Sequence, residues 1–135
     1  MEIQIKERGW AGHFVCADRC KYRRNTLITC GDIRVVVSSV GNMYIESAEI
    51  EPIGFDRYYE TMAFKAKKSG DYWDADVTTE IPFESEWAIG GKELHSHRNK
   101  IDNIADEMHD NVVEEIVNQI KNGETFDEQT AFDES

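Results

Sequence analysis

The sequence predicts an α+β domain, an antiparallel β-sheet over residues 1–90 packed by one C-terminal amphipathic helix. Three observations predict it. Short runs of alternating or β-branched residues, punctuated by Gly-Asp, Gly-Asn and Ser-Gly-Asp, fill the first two thirds of the chain. From Ile101 to Ile120 the apolar residues recur at helical spacing. No repeat at fixed period and no linker divides the 135 residues, so residues 1–123 read as one domain and 124–135 as an acidic flexible tail.

The elements follow in order. Residues 2–8 alternate, with Ile3 and Ile5 on one face, as a short strand does. Gly9-Trp10-Ala11-Gly12 interrupts it, and residues 13–16 read as a second short strand. The basic stretch that follows reads as a loop or irregular edge ending at Asn25-Thr26. Residues 27–30 and 33–40, joined by Gly31-Asp32, form a hairpin. The run IRVVVSSV is apolar in its middle, which suits a central strand, and Gly41-Asn42 reads as the next turn. Residues 43–45 begin a return strand, and 46–56 form a surface connection.

Residues 57–66 and 72–81 alternate around the turn Lys68-Ser69-Gly70-Asp71, predicting a hairpin with one buried and one wet face. The buried face of its second arm is Trp73, Ala75, Val77, Thr79 and Ile81. Phe83, Trp87 and Ile89 extend the apolar signal past Pro82, and residues 92–98 read as loop. Asn99 is placed to cap the helix, Asp102 lies in its first turn, and Lys121-Asn122-Gly123 ends it. In the tail, Phe126 is placed to dock.

The formal net charge is −12. It is unevenly spread: +3 over residues 1–36, −6 over 37–99 and −9 over 100–135. Such a chain lacks the broad basic face that duplex nucleic acid or an anionic membrane demands. No apolar run reaches the length of a membrane span and the first residues lack a signal-peptide core, so a cytoplasmic protein is expected. Between Arg19 and Arg34 stand five Lys or Arg and one acid. This island either pairs with acids elsewhere or holds a small anionic ligand, since Arg forks match phosphate oxygens. Cys16, Cys20 and Cys30 read as reduced thiols. With His13 their spacing fits no zinc ribbon or finger.

Asp74 and Asp76 share a strand face, with Glu60 placed across the hairpin. Three such carboxylates bind a divalent ion or form an acidic solvated surface. His95 and His97 sit in a polar stretch. His109 borders the apolar stripe of the helix, either capping a pocket or bonded to backbone. There is no G-x-S-x-G, P-loop, G-x-G-x-x-G or H-E-x-x-H, and Ser38-Ser39 carry no paired base, so no enzyme, cofactor or metal site is expected. What remains is arginine with aromatics. Arg8, Arg19, Lys21, Arg23, Arg24, Arg57 and Arg98 match phosphates. Tyr22, Tyr58, Tyr59, Tyr72, Phe83 and the tryptophans offer flat faces, and Asn25, Asn99 and Asn103 can read a base edge.

The order RGWAGHF, C-x3-C-x2-RRNTL, VVVSSVG, RYYETMAF, YWDADV and a helix with ADEMHDNVVEEI, over about residues 7–120, resembles small phage and prophage proteins, the Thoeris anti-defence family of the first-described type. The resemblance implies a sponge rather than an enzyme. Such proteins bind a cyclic ADP-ribose isomer made by TIR-domain enzymes without cleaving it, and some also hold cyclic di- or trinucleotides. It further implies a homo-oligomer, a dimer or an assembly of dimers, with pockets of sheet and helix between subunits. On that reading the contacts fall on Arg57, Tyr58, Phe83, Asn103, His109 and the run Arg23, Arg24, Asn25 and Thr26, with Arg19 beside it. The helix has no arginine between Asn99 and Ile120, which moves pyrophosphate contacts to Arg98 or to Arg23 and Arg24 of the partner subunit. Two other classes compete. One is an acidic inhibitor, of the anti-CRISPR or DNA-mimic kind, that blocks a basic host protein. The other is a metal-dependent hydrolase using Asp74 and Asp76.

Overall fold

The structure, a computed structural model, describes residues 2–9, 20–43, 53, 57–96 and 100–126. In chain order the elements are β1 (Gln4–Glu7), β2 (Cys20–Cys30), β3 (Ile33–Met43), β4 (Tyr59–Ser69), β5 (Tyr72–Glu80), β6 (Ala88–Ile89), α1 (Gly91–Ser96) and α2 (Ile101–Lys121). Every strand pairing is antiparallel. The order is β1-β2-β3-β4-β5, with β6 beside the start of β4. The α+β build and the helix over the sheet agree with the sequence. The expected strand at 13–16, most of the connection 46–56, the chain beyond 126, and Arg19 and Arg98 lie outside the described residues. No helix among the described residues is long and apolar enough to cross a membrane.

The main core lies between α2 and one sheet face. Ile28, Val35, Val37 and Ala63 meet Val112, Ile116 and Ile120 there, and Phe126 packs on the cluster's margin. Val36 turns the other way, onto Phe64 and Ala75. Val35, Val36 and Val37 are all fully buried, so β3 is covered on both faces and its apolar run needs no alternation. Burying Val112 or Ile116 contributes about 2 kcal/mol each. The helical stripe is as predicted, with His109 buried in the middle of it.

Several local expectations give way. The basic stretch is not a loop: from Cys20 it is already β2, in register with β3. Gly41 is not a turn but part of β3, paired with Tyr22 and Tyr59. A Cβ there would fall inside the Tyr59 ring and 2.9 Å from the Tyr58 carbonyl, so glycine is required by close approach. The hairpin of β4 and β5 has no simple wet face, because Tyr59, Glu60, Thr61, Ala63 and Phe64 are all buried.

On β5 the alternation breaks. Ala75 pairs with Ala66 but Glu80 pairs with Phe64, so the intervening residues bulge. Asp76 Oδ1 accepts from the Thr78 amide and hydroxyl, which fixes the bulge and leaves Val77 52% exposed. Residues 91–96 form α1 rather than loop. Helix α2 follows Lys100 with no side-chain cap; Asn99 lies outside the described residues. Its C-terminal stop is as predicted, with Gly123 at φ +97.

Candidate functional site

Strand geometry divides the RRNT run. Alternate side chains point to opposite faces, so Arg24 and Thr26 face α2 while Asn25 bonds Arg8 on the other side. Arg24 is engaged internally. Its Nε and Nη2 grip the Glu7 carboxylate at 3.0 and 2.9 Å, and Nη1 reaches Asp110 at 3.0 Å and Asp106 at 3.4 Å. The Glu7 hydrogen bond, against partial desolvation, holds its guanidinium above the ordinary pKa. Tyr22 donates to Asp106 at 2.5 Å. Burial first, then that carboxylate, raises its pKa. Part of the basic island therefore neutralises the acidic helix of its own chain. Arg23 is exposed and makes no ion pair among the described residues.

Beneath Arg24 runs a buried polar relay. A carboxylate only accepts, so the Thr26 hydroxyl donates to Glu7 Oε2 at 2.8 Å. With that hydrogen committed, Thr26 Oγ1 accepts from His109 Nε2–H at 2.7 Å. Burial first, then the Arg24 charge, depresses the imidazole pKa to about 4, so the ring is neutral and Nδ1 keeps its lone pair. Ser39 donates to that Nδ1 at 2.6 Å and accepts from Thr61 at 2.5 Å. Four elements of the sheet and α2 are tied by one directional chain. Ser39 therefore does have a paired base, contrary to the expectation from sequence. Both Ser39 and His109 are 0% exposed, so a substrate reaches neither without opening the core.

The cleft lies beside this relay. β5 and β6 share one edge of β4, and the chain between them swings out. The Ile81 amide donates to Ala63 and the Thr61 amide to Trp87, each across the edge. The gap between is a cleft of about 410 Å³ lined by Arg57, Glu60, Thr61, Met62, Glu80, Ile81, Pro82, Phe83 and Trp87. The Arg57 guanidinium lies 5.6 Å from the Trp87 ring centre, and its buried Nε has no hydrogen-bond partner among the described residues. Glu115 of α2 holds the outer wall, accepting from the Glu84 and Ser85 amides at 2.7 and 2.9 Å and from the Ser85 hydroxyl at 2.6 Å. Partial burial acts to raise its pKa, but these bonds outweigh it and keep the pKa below the usual range.

Of the predicted site residues, Arg57 and Phe83 come together in this cleft. Tyr58 is half-buried against Tyr59 and Ile89, and Asn103 is exposed on α2. Asn25, Thr26 and His109 are in the core. Glu7, Ser39 and Thr61 were not singled out as site residues, whereas Trp87 was one of the tryptophans offered as flat faces. Trp87, which is 45% exposed, stood in the apolar signal after Pro82. Ser39 and Thr61 carried only the signal of polar residues inside strand runs. The metal reading loses its geometry: Glu60 pairs with Ala88 rather than facing β5, and Asp74 and Asp76 bond the Ala75 amide and Thr78. Among the described residues no group of three potential ligands is placed to hold a metal ion. No family model, curated protein or solved structure matches the chain.

Proposed function

We propose that the chain binds and sequesters a cyclic nucleotide signal of the cyclic ADP-ribose type without cleaving it, as a homo-oligomer, with the cleft at Arg57 as its ligand site. The observation that carries this reading is the pairing of Arg57 and Phe83 across a nucleotide-sized cleft, with a buried Arg57 donor lacking a partner among the described residues. A guanidinium fork suits a phosphate, the Phe83 and Trp87 rings suit a base, and the carboxylates of Glu60 and Glu80 suit ribose hydroxyls or an amino group. One arginine does not neutralise a pyrophosphate. On this reading the second cation is supplied by another subunit, and we assign that role to its Arg23, which is exposed in the chain. Cyclic di- or trinucleotides are further candidates of the same chemistry.

The test is calorimetric titration of cyclic ADP-ribose isomers and cyclic oligonucleotides into the native chain and three variants. Arg57→Ala and Phe83→Ala should each weaken binding by about 10- to 100-fold, consistent with roughly 1.5–3 kcal/mol for a charge-assisted contact. Arg24→Ala should weaken it little if it remains folded. Equal affinity in Arg57→Ala and the native chain would move the site elsewhere.

A second reading rests on the outer face of α2, where Glu107, Glu114 and Asp110, the last also paired with Arg24, are exposed. That acidic stripe suits an inhibitor of a basic protein. A stoichiometric basic partner recovered from infected cells would support it, and recovery of self-associated chain alone counts against it.

A further inference from the structure

We infer that His109 is a positioning residue for the cleft: through Ser39 it fixes Thr61, and Thr61 in turn holds Trp87, on which Arg57 rests. The functional consequence rests on the cleft reading above; the geometry does not. His109 is fully buried, so it touches no ligand directly. Its Nδ1 accepts from Ser39, and Ser39 accepts from Thr61. The same Thr61 donates its backbone N–H to the Trp87 carbonyl at 2.7 Å, and the Trp87 ring carries the Arg57 guanidinium. The other end of the relay is Glu7, anchored by Arg24.

The relay has one polarity, set by the carboxylate. Removing the Thr26 hydroxyl takes away the acceptor for Nε2–H. With the proton on Nδ1 only a lone pair stays unpaired at Nε2, which costs less than a buried N–H donor, and Nδ1–H then donates to Ser39, which turns its own hydroxyl toward Thr61. A second proton on the ring forces the same reversal. The charged groups facing the imidazole are Glu7 from β1, Arg24 from β2, and Asp106 and Asp110 from its own helix; β3 and β4 present the uncharged Ser39 and Thr61. The two ends of the relay thus lie at the Glu7–Arg24 pair and at the wall of the cleft.

The test is nuclear magnetic resonance on the full ¹⁵N-labelled chain, with the Trp87 indole signal identified by its loss in Trp87→Phe. At neutral pH the native His109 ring should carry one proton, on Nε2, and Thr26→Ser should keep it there. Thr26→Val should move it to Nδ1 and shift the Trp87 signal. Titration of a cyclic ADP-ribose isomer into Thr26→Val should show about tenfold weaker binding than to the native chain. A native ring protonated on Nδ1 overturns the polarity. A moved proton with an unmoved Trp87 signal overturns the positioning role. Where Thr26→Val does not fold, acid titration of the native chain decides: Trp87 should shift in the same transition as the His109 ring, and a flat Trp87 signal overturns the inference. Absence of binding by the native chain refutes the proposed ligand and leaves the resonance result to judge the relay.

Discussion

At the scale of single residues, the most consequential group is a histidine that never meets solvent. Its folded-state pKa of about 4 lies below the ordinary 6.5, so between those values the unfolded chain binds the proton more readily. Its contribution is fully present above about pH 6.5 and is lost as pH falls toward 4; the gap corresponds to about 3 kcal/mol. Burial acts to raise the Glu7 pKa, but the Arg24 and Thr26 hydrogen bonds and the Arg24 charge together outweigh it and lower it, so Glu7 loses stability in the same direction as it protonates. Urea unfolding should therefore show falling stability from neutral pH to about pH 4. A His109→Phe variant that folds should show a shallower fall. An equally steep fall in that variant would assign the acid response to other groups. The two neighbouring arginines should separate cleanly. Arg24→Ala leaves Glu7, Asp106 and Asp110 without their shared cation and should cost about 2 kcal/mol, less than a fully buried network because its partners are half exposed. Arg23→Ala should stay within about 0.5 kcal/mol in the same unfolding measurement.

At the scale of elements, two contacts decide how the sheet and helix hold the cleft. Gly41→Ala places a methyl inside the Tyr59 ring, which is fully buried and donates to Asp102 at 3.0 Å, so the ring has nowhere to move. A loss of about 2–3 kcal/mol in thermal or urea unfolding is expected. Glu115→Ala frees the Glu84 and Ser85 amides from α2. It should speed amide hydrogen exchange at those two residues while leaving the exchange of β3 unchanged.

These contacts also show what was legible in the sequence. The VVV run and the helical stripe from Ile101 report burial that is local in sequence, so β3 and α2 could be read directly. Gly41 has the look of a turn because glycine often makes one; its actual cause, a ring 18 residues away across the sheet, leaves no local trace. The break in β5 is hidden because Asp76 and Thr78, which hold it, also fit the polar positions of a regular strand. The cleft was half legible. Arg57 and Phe83 stood out by residue type, whereas the relay needs β1, β2, β3, β4 and α2 to meet before Glu7, Ser39 and Thr61 acquire any meaning.

At the scale of the whole molecule, the acidic charge and the basic island are one arrangement. The island's Arg24 is bound to acids of β1 and α2, and the helix keeps an exposed acidic outer face. A homo-oligomer that brings Arg23 of the partner subunit to the cleft should weaken as salt rises, because exposed ion pairs are screened. Sedimentation across a salt series checks this, and an assembly indifferent to salt would point to an apolar interface instead. The measurement that bears most directly on the central claim is recovery of the ligand. A cyclic ADP-ribose isomer is bound to the native protein, the complex is separated from free ligand, and the protein is denatured by heat. Sequestration predicts that the released molecule is the unaltered isomer, in stoichiometric amount, and that Arg57→Ala retains far less of it. A released linear or hydrolysed product, or no retained ligand from the native protein, would contradict the account.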